Sequence, residues 1–305
     1  MNDSLIEQLK SITGPSAVLT DEPMKEHTTF KVGGNADIFV TAKSNKEATD
    51  IVRLLLASGI NYRVIGNGSN LLVSDKGFRG CIVCMGADDI EITGTKIRAS
   101  AGAMLSKVAK RAYDEGLTGL EFASGIPGSV GGAIVMNAGA YGSEMKAVTV
   151  TVKLFDTVTG ETVDMPAEEM HFGYRTSIVK EHPYIVLEAL LELGHGDREE
   201  IKARMDELAA ARRTKQPLEY PSAGSTFKRP EGYFAGKLIE DAGLRGYKVG
   251  GAMVSDKHCG FVINSGGASA SDVLELIKDV RRVVNEKSGV MLEPEVVILG
   301  EDTKI

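Results

Sequence analysis

The chain has 305 residues, of which 43% are apolar and 25% charged, and this composition is typical of a folded, soluble protein of two or three domains. Its net charge of −7 argues against a nucleic-acid or anionic-membrane surface, because such surfaces need clustered positive charge. No stretch approaches about 18 uninterrupted apolar residues, the length of a membrane span. With three cysteines and no hydrophobic signal core, the sequence predicts a cytoplasmic protein that contacts neither nucleic acid nor membrane.

The first half of the chain mixes strand and helix patterns. Apolar spacing predicts helices over 4–12, 46–59 and 104–116, and strands over 36–42, 62–66 and 78–86. Residues 66–77 are predicted to form a loop. Alternating patterns predict two hairpins, one turning at Gly94-Thr95 and one within 148–165.

The second half begins with a predicted strand over 182–193. A charged helix over 198–216 follows, and because it stops at Pro217 it is the best candidate for a linker between domains. Beyond it the pattern predicts further elements: a short helix near 237–241, strands over 247–255 and 260–265, a helix over 271–289 and a strand over 293–300. Strands and helices without regular βαβ alternation indicate an α+β fold.

Cys81 and Cys84 form a Cys-x-x-Cys pattern within a strand-like run. Residues three apart on a strand point to opposite faces, and a zinc site would need two more ligands. We interpret the pair as buried strand cysteines. No cluster of His, Asp or Glu has metal-ligand spacing, so no catalytic metal is predicted.

Two glycine-rich segments are candidates for phosphate binding, the loop Gly66–Asn70 and the segment Gly125–Gly142. Glycines allow successive backbone amides to converge on an anion. The common nucleotide signatures are absent, because Leu71 stands where the Rossmann pattern needs glycine and Leu238 where a Walker loop needs Ser or Thr. Either segment alone is explained by tight turns, whereas the two together favour one large cofactor.

Seven ordered motifs connect the chain with a known family. They are HTTFKVGGNAD (27–37), VIGNGSNLLVSD (64–75), GIPGSVGGAIVMNAGAYG (125–142), FGYRTS (172–177), AGSTFKRP (223–230), GGAMVSDKHCGFVIN (250–264) and LEPEV (292–296). Together they resemble the UDP-N-acetylenolpyruvoylglucosamine reductase family, flavoenzymes of peptidoglycan precursor synthesis. The short path from Tyr174-Arg175 to Ser225 resembles the shorter subclass, which lacks an additional tyrosine-bearing loop.

The resemblance implies an α+β fold with a two-part FAD-binding module of the vanillyl-alcohol-oxidase (PCMH) type and a smaller α+β substrate-binding domain. The expected FAD-binding parts are residues 1–80, joined by a C-terminal strand over 294–305, and residues 81–216. The substrate-binding domain is expected over 217–293.

The resemblance also implies a set of residues in contact with non-covalent FAD. They are Gly66, Asn67, Gly68, Ser69, Asn70, Ile126, Pro127, Gly128, Ser129, Asn137, Ala138 and Gly142. Arg212 is a further candidate, with a solvated helix charge as the alternative interpretation.

The implied reaction reduces an enolpyruvyl ether to a lactyl ether, with NADPH as hydride donor to FAD. Arg175 would stabilise the enolate, because a guanidinium grips a carboxylate with two hydrogen bonds. Ser225 would donate the proton, and Glu295 would orient that donor or polarise a water. Glu293 shares the strand face of Glu295 but matches the motif less well.

Substrate anchoring is expected from Lys215, from Lys228 or Arg229, and from His258, against a phosphate, a carboxylate or a uracil edge. The expected partners are UDP-N-acetylglucosamine enolpyruvate and NADPH, although the sequence holds no separate NADPH motif. We expect a monomer.

Two other interpretations remain open. The chain could be another FAD-dependent oxidoreductase on the same scaffold, and members that attach FAD covalently use His or Cys. His27 and His171 flank the glycine-rich segments, which themselves contain neither residue type. It could also be a non-catalytic flavin or sugar-nucleotide-binding protein, although the presence of Arg175, Ser225 and Glu295 argues against this.

Overall fold

The computed structural model describes residues 3–301. Its α-helices are α1 (Asp3–Thr13), α2 (Asn45–Ala57), α3 (Leu105–Asp114), α4 (Val130–Val135), α5 (Arg198–Lys215), α6 (Ala235–Asp241) and α7 (Ala270–Ser288). The helices predicted from apolar spacing are confirmed to within a few residues at each end. Residues 1–2 and 302–305, which the predicted domain limits include, lie outside the described residues.

The strands form several small sheets. Their bounds are β1 (Val18–Pro23), β2 (Asn35–Ala42), β3 (Tyr62–Ile65), β4 (Leu71–Val73), β5 (Phe78–Met85), β6 (Ile90–Thr93), β7 (Lys96–Ser100), β8 (Leu117–Thr118), β9 (Gly139–Ala140), β10 (Ser143–Glu144), β11 (Thr149–Asp156), β12 (Thr162–Pro166), β13 (Tyr184–Glu192), β14 (Gly194–His195), β15 (Lys248–Val249), β16 (Ala252–Val254), β17 (Val262–Asn264) and β18 (Val297–Leu299). The larger sheets have the orders β1-β2-β5-β3 and β12-β11-β13-β7-β6. Both predicted hairpins are confirmed, because β6 pairs antiparallel with β7 and β11 with β12.

The chain divides into two compact units. Unit 1 comprises residues 3–20, 38–67 and 80–211. Unit 2 comprises residues 21–37, 68–79 and 212–301. Each unit therefore collects segments that lie far apart in the sequence.

Unit 1 has a core formed by its sheets and by the apolar faces of α2 and α3. Helix α2 begins after Ser44, whose side chain accepts a hydrogen bond from the amide of Glu47 at 3.1 Å, an N-cap of the common type. Its buried face carries Ile51, Val52 and Leu55, at the spacing expected of an amphipathic helix. Burial of these side chains, rather than helix propensity alone, stabilises a helix of this length.

Unit 2 contains α7 and the three-stranded sheet β15-β16-β17. Helix α7 starts with a capping box in which Ser269 and Asp272 exchange side-chain-to-backbone hydrogen bonds. It ends at Gly289, whose left-handed φ of 72° terminates the helix without steric cost. The strand predicted over 293–300 is confirmed in shorter form as β18.

The prediction of a loop over 66–77 was wrong in part, because β4 lies within it. Leu71–Val73 pairs in parallel with Val297–Leu299. A strand of three residues leaves too short a pattern to recognise, and its partner is 226 positions away at the first pair, Leu71 and Val297.

Cys81 and Cys84 lie in β5, so their prediction as strand cysteines is confirmed. Cys81 is buried as predicted, whereas Cys84 is only half-buried. Burial raises the pKa of the Cys81 thiol to about 12 and that of Cys84 to about 11. Both thiols are therefore protonated at neutral pH, and the thiol is a poorer nucleophile than the thiolate.

None of the helices in residues 3–301 is long and apolar enough to cross a bilayer.

Candidate functional site

The two glycine-rich segments meet inside unit 1. The side-chain amide of Asn67 donates to the carbonyl of Pro127 at 2.5 Å. A Cβ atom on Gly66 would overlap the hydroxyl oxygen of Ser129, so only glycine allows this approach. The structure therefore brings together two segments that lie about 60 residues apart in the sequence.

The loop Gly66–Asn70 presents unused backbone donors. Within residues 3–301, the amides of residues 67–70 donate no hydrogen bond to a protein acceptor. Gly68 has a left-handed φ of 61°, and a Cβ on it would overlap the carbonyl oxygen of His27. Successive N–H groups in a turn are a donor set suited to an anion, so the loop fits the pyrophosphate of a dinucleotide such as FAD.

Two glycines of the segment Gly125–Gly142 serve close packing within the protein. A Cβ on Gly131 would lie 2.9 Å from the Cβ of Ala101, and one on Gly139 would lie 2.6 Å from the carbonyl oxygen of Ser143. Gly142 adopts a φ of 90°, which L-residues rarely adopt. Close packing against neighbouring protein atoms thus accounts for Gly131 and Gly139, two of the six glycines in the segment.

The same segment contains α4, which the sequence did not predict because glycine weakens helices. Ser129 is its N-cap, with its hydroxyl accepting from the amide of Gly132 at 3.5 Å. Among the predicted FAD contacts here, Ile126 and Ala138 donate their amides to Ala123 and Ala133 respectively. The backbone of the segment is therefore held by its own hydrogen bonds.

Asn137 is the fully buried member of the predicted FAD set, with 0% of its surface exposed. Its Nδ2 donates to the carbonyl of Gly173 at 3.1 Å, and its Oδ1 accepts from the amide of Lys146 at 2.9 Å. The side chain thus joins the glycine-rich segment to the loop that carries Arg175.

Arg175 lies in a two-residue turn of unit 1. Gly173 and Thr176 pair across it, with amide-to-carbonyl distances of 3.1 and 3.3 Å. Arg175 has a left-handed φ of 56°, and its guanidinium carbon lies 5.2 Å from the ring centroid of Tyr174. Arg175 as a whole residue is half-buried.

Ser225 and Glu295 lie on neighbouring segments of unit 2. The amide of Glu295 donates to the carbonyl of Thr226 at 2.8 Å, and Phe227 forms a bridge with Pro294. Thr226 is 2% exposed and its hydroxyl accepts from the amide of Val262 at 2.9 Å. Sequence reasoning passed over Thr226, although its place inside the 223–230 motif is a signal that could have identified it.

Asn70, at the end of the loop Gly66–Asn70, contacts Glu295 within unit 2. Its side-chain amide donates to the Glu295 carbonyl at 3.2 Å, and its own carbonyl accepts from the amide of Val297 at 2.9 Å. The pairing of β4 with β18 continues this contact. Asn70 of the predicted FAD loop and the predicted catalytic residue Glu295 are therefore joined by hydrogen bonds to the same backbone segment, 295–297.

Comparison with known proteins gives two family matches. A model described as the UDP-N-acetylenolpyruvoylglucosamine reductase C-terminal domain matches residues 216–299, and one described as an FAD binding domain matches residues 36–165. The UDP-N-acetylenolpyruvoylglucosamine reductase of Caldanaerobacter subterraneus subsp. tengcongensis is 52% identical over 302 residues, covering 99% of this chain and 100% of the relative. The protein of the same name from Lachnoclostridium phytofermentans is 51% identical over 308 residues, covering 99% of each.

The chain belongs to the UDP-N-acetylenolpyruvoylglucosamine reductase family.

Solved structures agree with this family assignment. The family member from Thermus caldophilus has 37% identity and a TM-score of 0.79, with 93% of this chain and 98% of that chain covered. A glucose dehydrogenase, wild-type Phl p 4.0202, shares the fold at 15% identity and a TM-score of 0.51, over 64% of this chain and 44% of that chain. The predicted α+β fold with its FAD-binding module is confirmed.

His258 of this reductase-family chain is held as a neutral imidazole. Its Nδ1 accepts from the amide of Gly260 at 3.0 Å, so the ring proton lies on Nε2. Phe261 packs edge-on at 5.1 Å between ring centroids. Burial is the main cause that lowers the pKa of His258, and the charge of Arg245 lowers it further. The imidazole is therefore suited to donate a hydrogen bond rather than to carry charge.

The predicted substrate-binding cations of this family member have different surroundings within unit 2. Lys228 forms an ion pair with Glu293 at 3.0 Å, whereas the guanidinium carbon of Arg229 lies 4.1 Å from the ring centroid of Phe234. Lys215 is exposed at the end of α5. Arg212, three residues earlier on the same helix, is half-buried.

The predicted site residues thus form separate groups in the two units. In unit 1 the contacts join Gly66 and Asn67 to the Pro127–Ser129 turn, and Asn137 to the Arg175 turn. In unit 2 they join Asn70, Glu295 and the Ser225 segment. No cluster of three metal-binding side chains occurs in the described part of this family member.

Proposed function

We propose that the chain catalyses the NADPH-dependent, FAD-mediated reduction of UDP-N-acetylglucosamine enolpyruvate to UDP-N-acetylmuramate in peptidoglycan precursor synthesis. The observation that carries this proposal is the 52% identity, over 99% of the chain, to a UDP-N-acetylenolpyruvoylglucosamine reductase. Hydrogen bonds between the family motifs also support it: Asn67 contacts Pro127, and Asn137 contacts Gly173.

The loop Gly66–Asn70 and the turn Pro127–Ser129 would hold FAD, and the amides of residues 67–70, which meet no acceptor within residues 3–301, would be the main donors. The bound flavin supplies hydride transfer from NADPH to the vinyl carbon of the substrate. The remaining tasks, which are to position the substrate, stabilise the developing charge and deliver a proton, fall to side chains of this chain.

Arg175 would stabilise the negative charge that develops next to the substrate carboxylate. A guanidinium offers two parallel donors that match a carboxylate, and this arrangement outperforms a point charge such as lysine. Its half-buried position reduces competition from water. The left-handed backbone of Arg175 sets the direction in which the side chain leaves the turn.

Ser225 would hold the proton that the carbanion-like carbon receives, and Glu295 would orient that donor or a water. Serine is a weak acid, but a strongly basic carbon needs only a well-placed donor. The hydrogen bond between the Glu295 amide and the Thr226 carbonyl holds the two segments in register. This hydrogen bond keeps Ser225 and Glu295 on neighbouring segments of the chain.

Lys215, Arg229 or Lys228, and His258 would anchor the sugar nucleotide. Lys228 is paired with Glu293, and the Arg229 guanidinium packs on the Phe234 ring while its Nε donates to the Tyr233 carbonyl at 3.3 Å, so both remain candidates for a substrate phosphate or carboxylate. The neutral His258 would donate Nε2–H to a phosphate oxygen or a uracil carbonyl. We also propose a cytoplasmic monomer with FAD-binding parts at 1–80 and 81–216 and a substrate-binding domain at 217–293.

An anaerobic absorbance experiment on the FAD-loaded protein tests the proposal. NADPH should bleach the visible flavin bands, and enolpyruvyl-UDP-N-acetylglucosamine should then restore them. Bleaching without recovery would leave a flavin reductase with a different substrate. Failure to bind FAD at all would contradict the proposal entirely.

The variant Ser225→Ala separates the two half-reactions. Bleaching by NADPH should stay at the wild-type rate, while recovery with substrate should slow by about 10²–10⁴-fold, the usual contribution of a positioned proton donor. Ser222→Ala is the matched control, since among residues 3–301 the contacts of Ser222 are made by its backbone, through its carbonyl to Thr29 and a bridge to Ile263. Recovery at the wild-type rate in Ser225→Ala would show that another group supplies the proton.

A further inference from the structure

The turn that carries Arg175 is attached to the end of α4 by two buried polar side chains. One is Asn137, which donates to the Gly173 carbonyl at 3.1 Å. The other is Ser177, whose hydroxyl donates to the carbonyl of Val135, the last residue of α4, at 3.0 Å. The two hydrogen bonds lie on either side of Arg175 in the sequence, at residues 173 and 177.

The side chain of Asn137 has its principal hydrogen-bonding capacity committed inside the protein. Its amide nitrogen binds Gly173 and its oxygen binds the amide of Lys146, while 0% of the residue is exposed. These two hydrogen bonds tie the side chain to its protein neighbours. Its backbone φ of 40° is one that asparagine tolerates better than most residues, which explains why asparagine suits this position.

Ser177 is equally enclosed, with 0% of its surface exposed. A buried hydroxyl without a partner would be costly, so its hydrogen bond to Val135 strongly favours one position of the chain. Two such contacts flank a residue whose φ of 56° is itself unfavourable. Strained backbone persists where its surroundings over-determine it, and these contacts supply that constraint.

We propose that Asn137 and Ser177 are positioning residues for Arg175, and that they fix the direction of its guanidinium rather than contacting FAD or substrate. The inference rests on the role of Arg175 in the proposed function. A bidentate guanidinium–carboxylate contact depends on both donors being aligned, so a displaced turn weakens it without removing the charge.

Two variants of the FAD-loaded enzyme test the inference. Asn137→Gly removes the side chain while tolerating the left-handed backbone, and Ser177→Ala removes one hydroxyl. Each should retain FAD and the wild-type rate of bleaching by NADPH. Recovery with substrate should slow by about 10²-fold for Asn137→Gly and about tenfold for Ser177→Ala, in the range expected for misplacing a catalytic group.

The matched control is Thr49→Val, which also deletes a buried hydroxyl. Thr49 is 6% exposed and donates to the Lys46 carbonyl at 2.9 Å, a hydrogen bond local to α2. Both half-reactions of this variant should match the wild type. Calorimetric titration with the enolpyruvyl substrate in the absence of NADPH gives a second readout, in which Asn137→Gly and Ser177→Ala should bind more weakly and Thr49→Val should not.

A double-mutant cycle separates positioning from general damage to the fold. In an Arg175→Ala background, Asn137→Gly and Ser177→Ala should change the recovery rate by less than about twofold, because the group they position is gone. Losses that persist undiminished in that background would overturn the inference. If Asn137→Gly does not fold, the Ser177→Ala cycle decides alone.

The outcomes also distinguish this inference from the proposed function. Rapid recovery in Arg175→Ala itself would refute the role of Arg175, and the inference would fall with it. Slow recovery in Arg175→Ala, combined with wild-type behaviour of Asn137→Gly and Ser177→Ala, would overturn the inference and leave the proposed function intact.

Discussion

Arg175 should impose a cost on stability that glycine at the same position relieves and alanine does not. Arg175→Gly and Arg175→Ala both remove the guanidinium and its contact with the Tyr174 ring at 5.2 Å. They differ in the backbone, because Arg175 has a φ of 56° and only glycine adopts this region freely.

The size of the difference follows from the backbone alone. A left-handed conformation costs an L-residue about 1–2 kcal/mol. Glycine avoids this cost, but its greater conformational freedom in the unfolded chain lowers the free energy of unfolding by about 0.4–1 kcal/mol relative to alanine. Arg175→Gly should therefore be more stable than Arg175→Ala by about 0.5–1 kcal/mol, or about 1–3 °C in melting temperature for a chain of this size.

Thermal unfolding of the two FAD-loaded variants measures the difference. The same pair of substitutions at Lys202, an exposed position within α5, is the control. There alanine should be more stable by about 1 kcal/mol, since the helix disfavours glycine. If Arg175→Gly melts at or below Arg175→Ala, the backbone of Arg175 is not strained in solution and the reasoning is refuted. Both variants should lose recovery with substrate to the same extent.

Two further predictions concern His258 and Gly68. The ring of His258 is half-buried and accepts a hydrogen bond from the Gly260 amide, and burial lowers its pKa in the folded protein. The unfolded chain therefore binds the proton more readily, and the free energy of unfolding should fall as the pH drops below about 6.5. Melting temperatures measured from about pH 7.5 to 5.5 should fall more steeply in the wild type than in His258→Asn; equal slopes would contradict this. Gly68→Ala should lose FAD on desalting, because its Cβ would overlap the His27 carbonyl, whereas Gly59→Ala, at a similar φ of 63° with no heavy atom of the described chain within 4 Å, should keep it. Equal FAD contents would show that displacement of the loop is not what matters.

Much of the fold could be predicted from the sequence because its signals are local. Helix α2 has a capping serine and an apolar stripe, and the hairpin β6-β7 has alternation and a turn at Gly94-Thr95. Strand β4 and helix α4 were missed for physical reasons. The first is three residues long and depends on a partner more than 220 positions away, and the second contains two glycines that tertiary packing, including Gly131 against Ala101, makes tolerable.

The candidate site was predictable as a set of motifs but not as a set of contacts. The glycines of 125–142 suggested a cofactor, yet Gly131 and Gly139 are required by neighbouring protein atoms. Asn137 remains a predicted FAD contact, and its side-chain partners within the protein lie 9 and 36 positions along the chain. Such partners are set by the path of the backbone in three dimensions, and no local pattern records them.

The parallel pairing of β4 with β18 has a consequence for synthesis on the ribosome. Val73 leaves the ribosome 224 residues before Val297 does, which at usual elongation rates is a delay of about 10–45 s. During that interval Leu71–Val73 has no β18 to pair with. The segments of unit 2 near the start of the chain cannot complete their packing until those near its end have been synthesised. A nascent chain stalled before β18 would therefore display an unpaired hydrophobic strand next to the Gly66–Asn70 loop, a target for chaperones and for aggregation.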